Sequence, residues 1–323
     1  MHDQWGVLQP DRTATAEEAG ARDECRLLVA LDGSAHAAAV LPDAVHLARC
    51  LGGSLLLVRA MSCGSTKSLV HGAREPLARL ARAAQAQGVA ASILLLEGEP
   101  AEQIVSYALG NAIAAIAVGS RVDWGNDGGL YGSVADAIIR QSPVPVLVRC
   151  SRAERTPAAP SRFQRVLVPL DGSRLAERAV PDALTLARAS GGRVLLVQVI
   201  AERQPFIKGG SSELVARELQ AAGEYLTAVR ERHWHVGVPI EVTVRLGRPA
   251  EVIRWIIQET AADLVVMATH GRAGLHRERM GSVALDVLQA EAPLLLRPPG
   301  AVRHWDDRSP ALRDVSADHQ FAV

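Results

Sequence analysis

The chain has 323 residues, with 35 Lys and Arg against 35 Asp and Glu, so its formal net charge is zero. That balance argues against nucleic acid or an anionic membrane as main partner, since both demand a basic face. No apolar run reaches the ~18–20 residues a membrane span needs, and residues 1–24 carry acidic side chains and no apolar stretch, so they do not read as a signal peptide; a cytoplasmic protein is expected.

In chain order, the extension 1–24 gives way to apolar runs at Leu27–Leu31, Leu55–Ala60, Ile93–Leu96, Ile113–Val118 and Val146–Val148, separated by helical patterns. A polar, proline-bearing linker follows at 151–163. The apolar runs then recur at Val166–Leu170, Val194–Ile200, Ile240–Leu246, Leu264–Met267 and Leu294–Leu296. They are rich in Val, Ile and Leu without strict alternation, as in strands buried on both faces. Between them, 212–233 reads as a helix with Val215, Leu219, Ala222, Leu226 and Val229 along one face. Pro249 suits a first helical turn and Gly191-Gly192 a helix stop. Five strand–helix alternations per half predict an α/β fold, a parallel sheet covered by helices on both sides. The polar stretch from Pro298 on is expected to fray as a tail.

The two halves repeat one another. Positions 27–58 align with 166–197 without a gap, at about 18 identities, and both contain Leu-Asp-Gly-Ser. Gly98-Glu99-Pro100-Ala101-Glu102 pairs with Gly247-Arg248-Pro249-Ala250-Glu251, and Gly132-Ser133-Val134-Ala135 with Gly281-Ser282-Val283-Ala284. The spacing grows by about ten between early and late blocks, which places an extra stretch around Pro205 to Glu213. The expected organisation is therefore a domain at 25–150, the linker, a second domain at 164–298 and a tail at 299–323.

In an open α/β sheet, ligands bind beyond the carboxyl ends of the strands. Asp32-Gly33-Ser34 and Asp171-Gly172-Ser173 lie there. Their carboxylates can accept hydrogen bonds from a ligand, or the triplet can simply turn the chain and cap the next helix. After the fourth strand of the second half come Ala268-Thr269-His270-Gly271, nine residues including Arg272 and Gly274, then Gly281-Ser282 opening the last helix. A basic loop beside a helix N-terminus, with the N–H groups of Gly281 and Ser282 expected to point into the pocket, offers what a polyphosphate needs; an ordinary N-cap flanked by solvated arginines is the bland alternative. The first half has Gly119-Ser120-Arg121-Val122 and Asp123 and Asp127 in its loop, so negative charge opposes a phosphate there. No Walker A sequence or dinucleotide fingerprint is present. His233 and His235 lack same-face spacing for a metal, and the four cysteines form no Cys-x-x-Cys pair, so no metal site and no catalytic residue is assigned.

The strand ending in Asp-Gly-Ser, the Gly-x-Pro-Ala block and the Gly-x-x-Gly, nine residues, Gly-Ser pattern, in order and twice, resemble the universal stress protein family in its tandem two-domain form. The resemblance implies two Rossmann-like five-stranded parallel sheets of order 3-2-1-4-5. It also implies ATP binding, with Mg²⁺, in many members. Carried onto this chain, the nucleoside end falls on Asp171 and Val199, and the phosphate end on Ala268, His270, Gly271, Arg272, Gly274, Gly281 and Ser282. In the first half the positions are Asp32, Ala60, Gly119, Gly132 and Ser133. Val122 in the first copy and Ala268 in the second depart from the motif, and the second copy departs less. The resemblance further implies antiparallel pairing of the two fifth strands, an intrachain pseudo-dimer, with homodimerisation left open. The reading is thus a nucleotide-binding regulatory protein with an unnamed protein partner. An interaction scaffold with degenerate sites and a slow ATPase are the alternatives.

Overall fold

A computed structural model describes residues 25–121, 132–151, 162–201, 211–269, 281–290, 292–301 and 305. The chain divides into two compact units, Met1–Leu147 with Ser151–Pro160 and Trp305–Val323, and Val148–Cys150 with Ser161–His304. No helix among the described residues is long and apolar enough to cross a membrane.

The first copy of the repeat runs β1 (Arg26–Ala30), α1 (Ala35–Ala38), α2 (Leu41–Leu51), β2 (Ser54–Met61), α3 (Lys67–Gln85), β3 (Ala91–Glu97), α4 (Pro100–Gly110), β4 (Ile113–Arg121), α5 (Ser133–Gln141) and β5 (Val146–Ser151). The second repeats it as β6 (Arg165–Leu170), α6 (Arg174–Glu177), α7 (Ala179–Ala189), β7 (Arg193–Ile200), α8 (Ser211–Arg232), β8 (Ile240–Leu246), α9 (Pro249–Glu259), β9 (Leu264–Ala268), α10 (Ser282–Val287) and β10 (Leu294–Arg297). A single 3₁₀ turn at Trp234–Val236 follows α8. Strand order is β3-β2-β1-β4-β5 in the first copy and β8-β7-β6-β9-β10 in the second, which is 3-2-1-4-5 in both. Pairings β1–β2, β1–β4, β2–β3, β6–β7, β6–β9, β7–β8 and β9–β10 are all parallel.

Parallel pairing needs crossovers, and right-handed crossovers fix which face each helix covers. From β6 the chain steps outward through β7 to β8, with α7 and α8 on one face. It then returns past β6 to β9, so α9 and α10, which pack on each other, cover the opposite face. The reversal leaves a crevice between the carboxyl ends of β6 and β9, the switch point at which open α/β sheets hold ligands. Central strands have apolar middles because both faces are covered: Val166, Leu167 and Val168 of β6 and Leu264, Val265 and Val266 of β9 are fully buried. β3 and β8 correct the expectation of strands buried on both faces. They are sheet edges, and β8 is only half-buried or exposed along its length.

Local chemistry matches in the two copies. Gly98 and Gly247 take φ of 125° and 142°, conformations open to glycine, and Pro100 and Pro249 then start α4 and α9. Gly191, at φ 61°, ends α7 in the left-handed region after Ser190. Of the ten extra residues of the second copy, five fall between β7 and α8, where residues 201–210 replace 62–66, three lengthen α8 and two lie between α8 and β8; 202–210 lie outside the described residues.

The expectation of a fraying end from Pro298 on fails at three residues, Pro299, Ala301 and Trp305. Arg178 donates from Nη1 to the Pro299 carbonyl at 2.8 Å, and Ala301 is buried. Trp305 is 2% exposed, and its Nε1 donates to the Ala114 carbonyl at 3.2 Å. An indole offers more apolar area than any other side chain, so one Trp pins a polar segment.

Candidate functional site

In each copy the first strand delivers Asp-Gly-Ser to the carboxyl edge of the sheet. Gly172 and Gly33, at φ 82° and 92°, turn the chain in a conformation that side-chain-bearing residues rarely take. The Ser173 N–H donates to Asp171 Oδ1 at 2.9 Å, and Ser173 Oγ accepts from Ala176 N–H at 3.1 Å to cap α6. The first copy is the same: Ser34 N–H to Asp32 Oδ1 at 2.7 Å, and Ala37 N–H to Ser34 Oγ at 3.1 Å. The triplet therefore does turn and cap the chain, and it also fixes the carboxylate beside the switch point.

β9 brings the second group of residues to the other side of the crevice. Thr269, directly after β9, is buried and donates its N–H to the Arg297 carbonyl at 3.0 Å. Its own carbonyl accepts the N–H of Gly281 at 2.8 Å, so the start of α10 is tied to the strand end. This corrects the expectation that the Gly281 N–H points at a ligand. The first helical bond of α10 runs from Leu285 N–H to Gly281 O, and no side chain caps the helix. The N–H groups of residues 282–284 therefore precede the helical ladder. In the first unit the Gly132 N–H donates to Ser120 Oγ at 3.3 Å, and Ser133 likewise opens α5. His270, Gly271, Arg272 and Gly274 lie outside the described residues, as do Val122, Asp123 and Asp127.

Val199 and Ala60, half-buried, stand near the carboxyl ends of β7 and β2. Asp171, Val199, Ala268, Gly281 and Ser282 thus belong to the same edge of the second sheet, at the ends of β6, β7 and β9 and the start of α10.

Gly119 has a packing role that spacing alone did not show. A Cβ there would stand 2.2 Å from the His36 carbonyl oxygen and 2.7 Å from that of Ala37. The backbone of α1 rests directly on β4, so the glycine is explained without a ligand. Gly119→Ala, which installs the residue of the second copy, is expected to cost about 1–3 kcal/mol through displacement of α1. Urea unfolding checks this; an unchanged midpoint would refute the contact. Gly132 differs, since a Cβ there meets nothing within 4 Å.

Sequence reasoning passed over the position that most separates the copies. Arg59 and Gln198 are aligned polar residues in otherwise apolar strands, and that interruption was the available signal. Arg59 lies against the Asp-Gly-Ser turn, with Nη1 3.0 Å from where a Gly33 Cβ would stand. Burial raises the Asp32 pKa, but hydrogen bonds from Ser34 and from its own backbone, together with the Arg59 charge, outweigh it and leave the carboxyl below its ordinary value. Gln198 is buried, uncharged, and in register with Leu170.

Tyr225 of α8 was also passed over. Burial, then the neighbouring Glu177 and Asp171 carboxylates, push its hydroxyl well above the usual range, so it stays protonated. Arg232 donates to Glu177 Oε2 at 2.8 Å. Burial, then Arg232 and His235, lower the His233 pKa, which keeps that ring neutral. Burial pushes the Cys150 thiol up to about 12, far from a reactive thiolate.

Known proteins match this arrangement. The sequence model of the universal stress protein family matches residues 25–149 and again 162–297. Universal stress protein MJ0531 of Methanocaldococcus jannaschii is 32% identical over 139 residues, covering 42% of this chain and 81% of that protein. Universal stress protein Rv2005c of Mycobacterium tuberculosis is 33% identical over 165 residues, covering 50% of this chain and 54%, about half, of that relative's length. The crystal structure of a universal stress protein from Archaeoglobus fulgidus superposes with a TM-score of 0.64 at 21% identity, covering 84% of this chain and 96% of that one, and shares the fold. A parallel 3-2-1-4-5 sheet with Asp-Gly-Ser at its switch point, built twice, defines a tandem α/β protein. The chain belongs to the universal stress protein family, with two such domains.

Proposed function

We propose that the second unit binds an adenine nucleotide, ATP with Mg²⁺, and that the chain is a nucleotide-dependent regulatory protein. The observation that carries this reading is the placement of Asp171 and the start of α10 on the two sides of one crevice, between β6 and β9. The Asp171 carboxylate suits the hydroxyls or ring of a nucleoside. The N–H groups of residues 282–284 and the Ser282 hydroxyl suit phosphate oxygens, and Mg²⁺ would offset the phosphate charge. Arg272, three residues after Thr269 in the sequence, would add a positive charge suited to phosphate.

Two substitutions test the two ends. Gly281 has φ −60° and ψ 140°, which any residue adopts, so Gly281→Val adds bulk without backbone strain. It is expected to weaken ATP at least about tenfold and leave adenosine unchanged. Asp171→Ala is expected to weaken both by about tenfold, the worth of a charge-assisted hydrogen bond. Calorimetric titration of each full-length variant reads these effects, with circular dichroism as the check on folding. If both folded variants bind ATP like the parent, the Asp-Gly-Ser triplet is only a turn and cap, and the scaffold reading takes over. Release of ADP over hours would instead favour slow hydrolysis.

A further inference from the structure

We infer that Arg59 closes the first unit's site to nucleosides, so that each chain takes up one nucleotide, in the second unit. The inference rests on the nucleotide reading above and names the residue that makes the copies unequal. Arg59 is half-buried near the carboxyl end of β2, immediately beside the switch point of its sheet. Its guanidinium lies along the open face of Gly33: Nη1, Cζ and Nη2 stand 3.0, 3.5 and 3.7 Å from the position a Cβ would take. Gly33 is held at φ 92° between Asp32, whose Oδ1 is engaged by the Ser34 N–H, and the start of α1. The group that would receive a nucleoside therefore already has a planar cation against its turn. The Arg59 charge also helps hold the Asp32 carboxyl ionised.

A ribose or base reaching Asp32 must move that guanidinium and lose its attraction to the carboxylate. The second copy has no such obstacle at the aligned position. Gln198 is neutral, shorter and 8% exposed, so it is drawn into the sheet and brings no charge to Asp171. The two triplets are otherwise built alike, down to the serine cap and the positive φ of the glycine. Besides Tyr225 of the second copy, which neighbours Asp171 and Glu177, this aligned pair distinguishes the nucleoside ends.

The test is a count of bound nucleotide on the full chain, by equilibrium dialysis against labelled ATP at saturating Mg²⁺. The parent is expected to hold one ATP, whose affinity Asp171→Ala lowers about tenfold. Arg59→Gln, which installs the side chain of the second copy, is expected to hold one more than the parent, and Asp32→Ala in that background should remove the added site. An Arg59→Gln count equal to the parent's overturns the inference. A lower count overturns it too, by making Arg59 a ligand-holding residue. A parent that binds no ATP defeats the nucleotide reading of the second unit, yet a site gained in Arg59→Gln would still establish Arg59 as the block, and none gained would overturn it. Circular dichroism and melting of Arg59→Gln confirm that the count is read on folded protein.

Discussion

Asp182→Ala is expected to destabilise the second unit by about 3–5 kcal/mol, the cost of leaving a buried charge without its partner. Asp182 of α7 and Arg297 at the end of β10 are 1% and 2% exposed at the side chain and form a direct ion pair. The guanidinium also donates from Nη2 to the Ala301 carbonyl at 3.3 Å. Arginine cannot shed its proton to escape burial, so losing the carboxylate leaves a full charge in a dry site. The double variant Asp182→Leu with Arg297→Met removes both charges and keeps volume, and it should lie far closer to the parent than the single variant does. Urea unfolding of the full chain measures all three. A single variant within about 1 kcal/mol of the parent would mean the site is wetter than its burial indicates. The same residue type is fully buried at Asp43 in the first copy, inside the shared Pro-Asp-Ala sequence.

Trp305→Ala is expected to cost the first unit a similar amount, about 3–5 kcal/mol, because a large apolar side chain leaves a cavity. Its indole is buried and hydrogen-bonded to Ala114, the second residue of β4, 191 positions earlier in the chain. Trp305→Phe keeps most of the packing and removes the donor, so it should lose only part of that, about 1 kcal/mol going to the hydrogen bond. Truncation after Ala301 should match the alanine variant. Trp305 is deeply buried while Trp234 and Trp255 are 77% and 49% exposed, so the loss is readable as a red shift of tryptophan emission. An unshifted spectrum with unchanged stability would show that the indole does not dock in solution.

Much of the fold was legible because a buried parallel strand has a plain signature. Ile240–Leu246 matches β8 at both ends, and the other nine runs fall within one to three residues of their observed bounds. The repeat supplied the topology, since one five-stranded pattern read twice constrains each copy. Edge character was not legible. β8 has the composition of a central strand, and only its position beside β7 alone exposes it. At the site, the Asp-Gly-Ser turns and the helix starts at Gly132 and Gly281 followed from local chain chemistry. The direction of the Gly281 N–H did not, because its acceptor is the Thr269 carbonyl twelve residues back. The packing role of Gly119 was hidden for the same reason: its tight neighbour, α1, lies more than eighty positions away in sequence. Arg59, Asp182 and Trp305 each act through a partner distant along the chain, which no local pattern encodes.

The central claim, that the second unit holds the nucleotide at the β6–β9 crevice, is tested most directly by hydrogen exchange with and without millimolar ATP and Mg²⁺. Peptides spanning Leu170 to Ser173 and Gly281 to Leu285 should exchange more slowly with ATP, and the peptides around Asp32 and Gly132 should not. Exchange that ATP leaves unchanged in all of these segments, or slows only around Asp32 and Gly132, would contradict the claim.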